Sequence, residues 1–86
     1  MIHFYVYIVQ SEKDKSFYIG YSQKPESRLI KHNSSNKGYT ATKKPWEIVY
    51  TENFESKTLA IKREKFIKRQ KSTAFIIKLI NGSSVG

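Results

Sequence analysis

Apolar and polar side chains alternate near the start of the chain, which predicts two β-strands. Residues 3–9 (HFYVYIV) are rich in β-branched and aromatic side chains, the types that favour strands. A polar turn at 11–16 separates them from residues 17–21 (FYIGY), so we expect the two strands to pair as a hairpin. Alternation divides the first strand into a face with Phe4, Val6 and Ile8 and a face with Tyr5, Tyr7 and Val9. It divides the second strand into a face with Phe17, Ile19 and Tyr21 and a face with Tyr18 and Gly20.

The spacing then changes to that of a helix. Residues 24–33 (KPESRLIKHN) predict a short helix, with Pro25 at the first helical position, where its missing N–H would be unpaired in any case. Glu26 complements the positive end of the helix dipole. Residues 34–44 show no periodicity and predict a loop.

Three more elements complete the pattern. Residues 45–54 (PWEIVYTENF) predict a third strand that follows a proline. Ser56 is a good N-cap for a long helix over about 57–71. A last helix is predicted over 72–80, and the NGSSVG segment that follows it is expected to fray.

The order ββαβαα predicts an α/β fold with a small three-stranded, largely antiparallel sheet flanked by helices. A chain of 86 residues allows one domain and one modest core. We assign residues 1–81 to that domain and 82–86 to a flexible tail.

Hydropathy and cysteine content narrow the class of protein. No apolar run approaches the roughly 20 residues that span a bilayer, and no signal-peptide pattern is visible, so we expect no membrane partner. Cysteine is absent, which excludes a disulfide framework and a thiolate metal site. A reducing, cytoplasmic setting fits this composition.

Charge is the strongest compositional signal. Sixteen Lys and Arg stand against seven Asp and Glu, for a net charge of +9. The excess is concentrated in residues 24–44 and 57–71, each of which contains a single acidic residue. Two such clusters favour a polyanionic partner, nucleic acid above all, over a generic basic surface.

Glu64 is an unusual residue within the long predicted helix. It shares a helix face with Ala60, Ile61 and Ile67, and a carboxylate in an apolar stripe is costly to bury without a partner. One interpretation is an ion pair with Lys68, four residues later. The other is a metal ligand, because a lone carboxylate suits Mg²⁺, which keeps most of its waters.

Arg28 and His32 lie four residues apart and therefore point the same way from the first helix. They could form an exposed basic edge. They could equally form a phosphate clamp, in which arginine neutralises charge on phosphorus and histidine exchanges a proton near neutral pH.

Tyr7 and Tyr18 fall on adjacent strands, on the face opposite the obvious apolar one. Ordinary amphipathic packing would explain either of them. Alternatively, a field of Lys, Arg and a metal ion would lower the pKa of a phenol from about 10, so that it could accept a proton from water. Gly20 would let backbone or substrate approach closely.

The ordered motifs resemble those of the GIY-YIG nuclease superfamily. The paired motifs are represented by YVY (5–7) and YIG (18–20). The resemblance continues through RLIKHN (28–33), KKPWEIVY (43–50) and SKTLAIKREKFIK (56–68). Small stand-alone members are the most similar, together with the catalytic domain of the nucleotide-excision-repair nuclease (excinuclease) and the junction-resolving members.

This resemblance implies roles for individual residues. It implies that Tyr7 and Tyr18 are the motif tyrosines and that Gly20 is the glycine of the second motif. On the first helix it implies that Arg28 is the catalytic arginine, that His32 occupies the family's histidine or tyrosine position and that Asn33 is a supporting residue. It implies that Glu64 is the single metal ligand. The sequence departs from the family at Tyr5, which replaces the glycine of the first motif.

The implied activity is that of a DNA endonuclease, a phosphodiester hydrolase dependent on Mg²⁺ or Mn²⁺. Tyr7 would be the general base, assisted by Tyr18 or His32, and a single metal ion would bind Glu64. The expected substrate is DNA, including branched or damaged DNA as in DNA repair, and nothing indicates an obligate protein partner. The residues expected to bind the DNA backbone are Lys37, Lys43, Lys44, Lys62, Arg63 and Lys68. The alternatives are a non-catalytic module that binds nucleic acid and a basic adaptor that docks through its second helix.

Overall fold

The computed structural model describes residues 3–34 and 36–82. Its strands are β1 (Phe4–Ser11), β2 (Phe17–Ser22) and β3 (Trp46–Phe54), and its helices are α1 (Pro25–Ser34), α2 (Lys57–Gln70) and α3 (Thr73–Gly82), with a 3₁₀ turn at Tyr39–Lys43. This order confirms the predicted ββαβαα arrangement and the α/β class. No helix in this part of the chain combines the length and apolarity that a bilayer crossing requires.

The sheet has the order β2-β1-β3, and both strand pairs are antiparallel. The central position of β1 follows from its sequence, because the residues from Val6 to Val9 are all buried and need neighbours on both edges. Tyr7 lies opposite Gly20 on β2 and opposite Thr51 on β3.

Each face of the sheet has its own apolar cluster. On one face Val6, Ile8 and Ile19 pack against residues of α2 and α3, among them Ala60, Ile67 and Ile76. On the other face Tyr7, Val9 and Trp46 pack with Tyr18, Leu29 and Ile48, and Leu29 comes from α1. The predicted division of faces is confirmed, and the tyrosine face is buried as well.

Several element ends differ from the predicted ones. Strand β1 continues to Ser11 because Gln10 and Ser11 pair with the beginning of β3. Helix α2 ends at Gln70, since Lys71 adopts a left-handed conformation with its N–H bonded to the carbonyl of Lys68. The segment predicted as a loop contains the 3₁₀ turn.

The chain's last segment also requires a correction. Helix α3 continues to Gly82, so Asn81 and Gly82 belong to a helix rather than to a tail. The rest of the predicted tail, 83–86, lies outside the described residues.

Two serines cap the starts of helices, and Ser56 does so as the sequence predicts. Ser56 Oγ accepts a hydrogen bond from the N–H of Leu59 at 3.1 Å, and Ser72 Oγ accepts one from the N–H of Phe75 at 3.1 Å. Each cap satisfies an N–H group that has no partner within its helix. These caps fix where α2 and α3 begin, and therefore where α2 presents its side chains to the sheet.

Candidate active site

Tyr7 lies at the centre of the candidate site, and its position depends on a glycine. Its side chain is only 1% exposed and crosses over Gly20 on the adjacent strand. A Cβ atom at position 20 would stand 2.6 Å from the Tyr7 hydroxyl oxygen and 2.8 Å from Cζ. The close approach predicted for Gly20 is therefore made by the Tyr7 ring.

His32 links the two motif tyrosines. Its Nε2 atom lies 3.4 Å from the Tyr7 hydroxyl, and its ring meets the Tyr18 ring edge to face with 4.8 Å between centroids. The indole of Trp46, with its centroid 6.2 Å from the imidazole, closes the site on the β3 side. Helix α1 thus directs His32 inward between both phenols.

Asn33 holds this end of α1 in place. Its Nδ2 donates to the carbonyl of Trp46 at 3.1 Å, and its Oδ1 accepts from the N–H of Trp46 at 2.6 Å. This two-point contact ties the last turn of α1 to the first residue of β3. The contact holds the turn of α1 on which His32 lies against the sheet.

Arg28 lies one helical turn before His32 and acts on the same hydroxyl. The proximity of its guanidinium and its positive charge both lower the pKa of the Tyr7 phenol. Its charge also lowers the pKa of His32. Because Arg28 itself is exposed, it joins the buried hydroxyl to the protein surface.

Burial nevertheless decides the protonation state of Tyr7. Loss of solvent raises the pKa of Tyr7 above 10.0 and outweighs the opposing effect of Arg28, while Tyr18 and Glu64 raise it further. The charges of the chain alone therefore do not lower the phenol pKa, and the lowering predicted from the sequence also required a metal ion. For His32, burial followed by the charge of Arg28 lowers the pKa from 6.5. Near neutral pH the site contains a phenol beside a neutral imidazole.

Glu64 extends toward this site from α2. It is 13% exposed and forms an ion pair with Lys68 at 2.8 Å, so one of the two interpretations of its sequence position is observed. Its charge also contributes to the raised pKa of Tyr7, which places the carboxylate within electrostatic reach of the phenol. Glu64 thus has a partner and still belongs to the cluster around Tyr7.

The donor set fits some metal ions and excludes others. Among residues 3–34 and 36–82 no group of three His, Cys, Asp or Glu side chains could hold a metal ion. A Zn²⁺ centre built from three or four protein ligands therefore does not fit. Mg²⁺ keeps several waters and binds through one or two carboxylates together with substrate phosphate. Glu64 could provide such a carboxylate.

Several of the basic residues predicted to bind nucleic acid already have partners. The Arg63 guanidinium makes two contacts of 3.0 Å with the Glu52 carboxylate and lies over the Phe66 ring. Lys43 pairs with Asp14, whose pKa is lowered mainly by that contact, and Lys44 donates to Asn36 at 3.3 Å. Lys68 is paired with Glu64, and the Lys62 side chain is exposed.

The structure thus brings together Tyr7, Tyr18, Arg28, His32 and Glu64, with Gly20 against the Tyr7 ring and Asn33 bonded to the backbone of neighbouring Trp46. Sequence reasoning missed Trp46, the single tryptophan, which packs against both His32 and Tyr18. Its place directly after Pro45, at the start of a predicted strand, was the available signal.

Comparisons with known proteins agree with this geometry. A family model described as the GIY-YIG catalytic domain matches residues 3–79. A UPF0213 protein from Staphylococcus saprophyticus is 45% identical over 76 residues, which cover 84% of this chain and 92% of that protein. Another from Staphylococcus haemolyticus is 45% identical over 69 residues, which cover 79% and 83% of the two chains.

A solved structure gives the same result for the fold. The solution NMR structure of a UPF0213 protein from Bacillus halodurans superposes with a TM-score of 0.59 at 32% identity, and the match covers 92% of this chain and 83% of that one. The GIY-YIG catalytic domain is typical of nucleases and implies nucleic-acid binding. On the strength of its matched motifs, sequence and fold, this chain belongs to the GIY-YIG family, within the UPF0213 group of small proteins.

Proposed function

We propose that this protein is a metal-dependent endonuclease that hydrolyses phosphodiester bonds in DNA. The observation that carries the proposal is the convergence on the Tyr7 hydroxyl. His32 Nε2 lies 3.4 Å from it, and the charges of Arg28 and Glu64 both reach it. Such a set of base, cation and carboxylate is what hydrolysis of a phosphodiester needs.

The protonation states support a relay through Tyr7. The phenol would accept a proton from the attacking water while passing its own proton to Nε2 of the neutral His32. Arg28 would stabilise the negative charge that develops on the phenol oxygen and on the phosphate. Because Arg28 is exposed, it could also reach a bound phosphate.

Glu64 is the residue that would hold the metal ion, and the Lys68 ammonium would have to leave it first. Bound there, Mg²⁺ or Mn²⁺ would stabilise the leaving oxygen and the charge of the scissile phosphate. A single carboxylate supports one metal ion rather than two. A variant that lacks the Lys68 charge but retains Glu64 should therefore bind the metal ion more tightly than the wild type.

The direct test is an assay on branched, flapped, single-stranded and duplex DNA, with Mg²⁺ or with a chelator. We expect Mg²⁺-dependent cleavage of at least one substrate by the wild type. Glu64→Gln should lose at least 100-fold in rate, because it removes the metal ligand, but should still bind DNA. Glu55→Gln is the matched control, since this exposed glutamate lies just before α2 and the charge change is the same.

A second function is a nucleic-acid-binding module without catalysis. Two observations favour it: Tyr7 is 1% exposed, and Glu64 is already paired with Lys68. This alternative predicts that the wild type binds DNA and cleaves none of the four substrates with any divalent metal. Cleavage that disappears in Glu64→Gln would eliminate it.

A further inference from the structure

A basic groove lies beyond the candidate active site, between the β1–β2 turn, the end of α2 and the start of α3. Its volume is about 310 Å³. Three lysines and three hydroxyl side chains contribute to its lining: Lys15, Lys68, Lys71, Ser16, Ser72 and Thr73. Ammonium and hydroxyl groups together are typical donors to phosphate oxygens.

Two of the groove lysines have an unexpected backbone conformation. Lys15 has a φ of 66° and Lys71 a φ of 47°, and in the described part of the chain they are the non-glycine residues with positive φ. Glycine or asparagine is the residue favoured in the last position of such a hairpin turn and after the end of a helix. Backbone geometry therefore accounts for neither lysine, although both line the same groove.

The ammonium groups of Lys15 and Lys71 also form no salt bridge within the described part of the chain. Neither has an acidic partner among residues 3–34 and 36–82. This distinguishes them from Lys43 and Arg63, which are paired with Asp14 and Glu52. Two unpaired cations facing one concave surface indicate a site for an anion.

The groove adjoins the candidate active site at Glu64. Lys68, which lines the groove, pairs with Glu64 one turn earlier on α2. Phe17 and Ile19 of β2 also line it, on the sheet face that packs against α2 and α3, whereas Tyr7 lies on the other face. An anion in the groove therefore lies near Glu64 and apart from the Tyr7 hydroxyl.

We infer that this groove binds a backbone phosphate of the nucleic-acid substrate, at a nucleotide near the one that is cut. The inference rests on the proposed nuclease function, since the groove adjoins Glu64, the proposed metal ligand. Lys15 and Lys71 contact the phosphate oxygens, and the hydroxyls of Ser72 and Thr73 lie beside them, while the Ser16 hydroxyl donates to Asp14. This site sets the register of the DNA backbone relative to Tyr7 and carries no base specificity.

The test uses Lys15→Gly and Lys71→Gly, because these changes remove the amine and supply the residue that the backbone favours. Binding of a short labelled DNA duplex is measured in chelator at several salt concentrations. Each variant should bind about threefold to tenfold more weakly, with a salt slope reduced by about one. Its melting temperature should equal or exceed that of the wild type.

Lys57→Gly is the matched control, since Lys57 is an exposed lysine at the opposite end of α2. It should change the affinity less than twofold. If both groove variants bind DNA with wild-type affinity, the groove site is overturned and the nuclease proposal stands. The same conclusion follows if Lys57→Gly loses as much affinity as the groove variants. A wild type that binds DNA through the groove and cleaves nothing would overturn the nuclease proposal alone. A wild type that binds no DNA would overturn both.

Discussion

At the scale of single residues, the candidate site depends on a steric relation between one strand and its neighbour. The Tyr7 ring occupies the space that a side chain at position 20 would need. The sequence pattern placed Tyr7 and Gly20 on the same sheet face, and pairing in the sheet makes them direct neighbours. The YIG glycine is therefore a packing requirement of the tyrosine on the adjacent strand.

Gly20→Ala should consequently damage both folding and activity. The new methyl group would stand 2.6 Å from the Tyr7 hydroxyl oxygen, and its accommodation should cost about 1–3 kcal/mol of unfolding free energy. Thermal unfolding measures this loss. Gly82→Ala is the control, because nothing lies within 4 Å of that position. A Gly20→Ala protein with wild-type stability and activity would contradict the packing account.

The lowered pKa of His32 predicts two dependences on pH. Cleavage should fall on the acidic side with an inflection below 6.5, since protonated His32 cannot accept the Tyr7 proton. Stability should also fall as the pH drops from about 6.5 through the folded pKa, because in that window the unfolded chain binds a proton that the folded chain does not.

His32→Gln tests both dependences. It should lower the plateau rate, remove the acidic limb of the pH–rate profile and flatten the change in melting temperature between about pH 7 and pH 5. An unchanged acidic limb in His32→Gln would show that a different group accepts the proton.

At the scale of elements, hydrophobic periodicity predicted every strand and helix, whereas their ends depended on contacts that a local pattern does not contain. Strand β1 extends because β3 pairs with it, and α3 continues past Ile80. The pairing of Arg63 with Glu52 joins α2 to β3 and could not be read from either segment alone. The same limit applies to the contact of Asn33 with Trp46.

Asn33→Ala should loosen α1 from the sheet. Two hydrogen bonds to the Trp46 backbone would be lost, which should lower the unfolding free energy by about 2 kcal/mol. Because His32 is the adjacent residue, the cleavage rate should fall as well. Denaturant unfolding and a cleavage assay, with the exposed Asn53→Ala as control, measure the two effects. If stability falls while the rate stays at the wild-type value, Asn33 does not position His32.

At the scale of the whole molecule, the net charge of +9 predicted a polyanionic partner, but it did not show which bases are available. Composition cannot distinguish a lysine that faces solvent from one held by a carboxylate, because that difference arises only in the folded chain. Arg63, Lys43 and Lys68 are held internally, whereas the groove contains Lys15 and Lys71. The clusters along the sequence therefore only partly coincide with the surface that we expect to meet DNA.

The central claim is that the Tyr7 hydroxyl acts on the attacking water, and the most direct test is the single-turnover cleavage rate of Tyr7→Phe on fully bound DNA. We predict a rate at least 100-fold below that of the wild type, with unchanged DNA affinity, and a much smaller loss for Tyr18→Phe. A Tyr7→Phe enzyme that cleaves at the wild-type rate, or a Tyr18→Phe enzyme that suffers the larger loss, would contradict the claim.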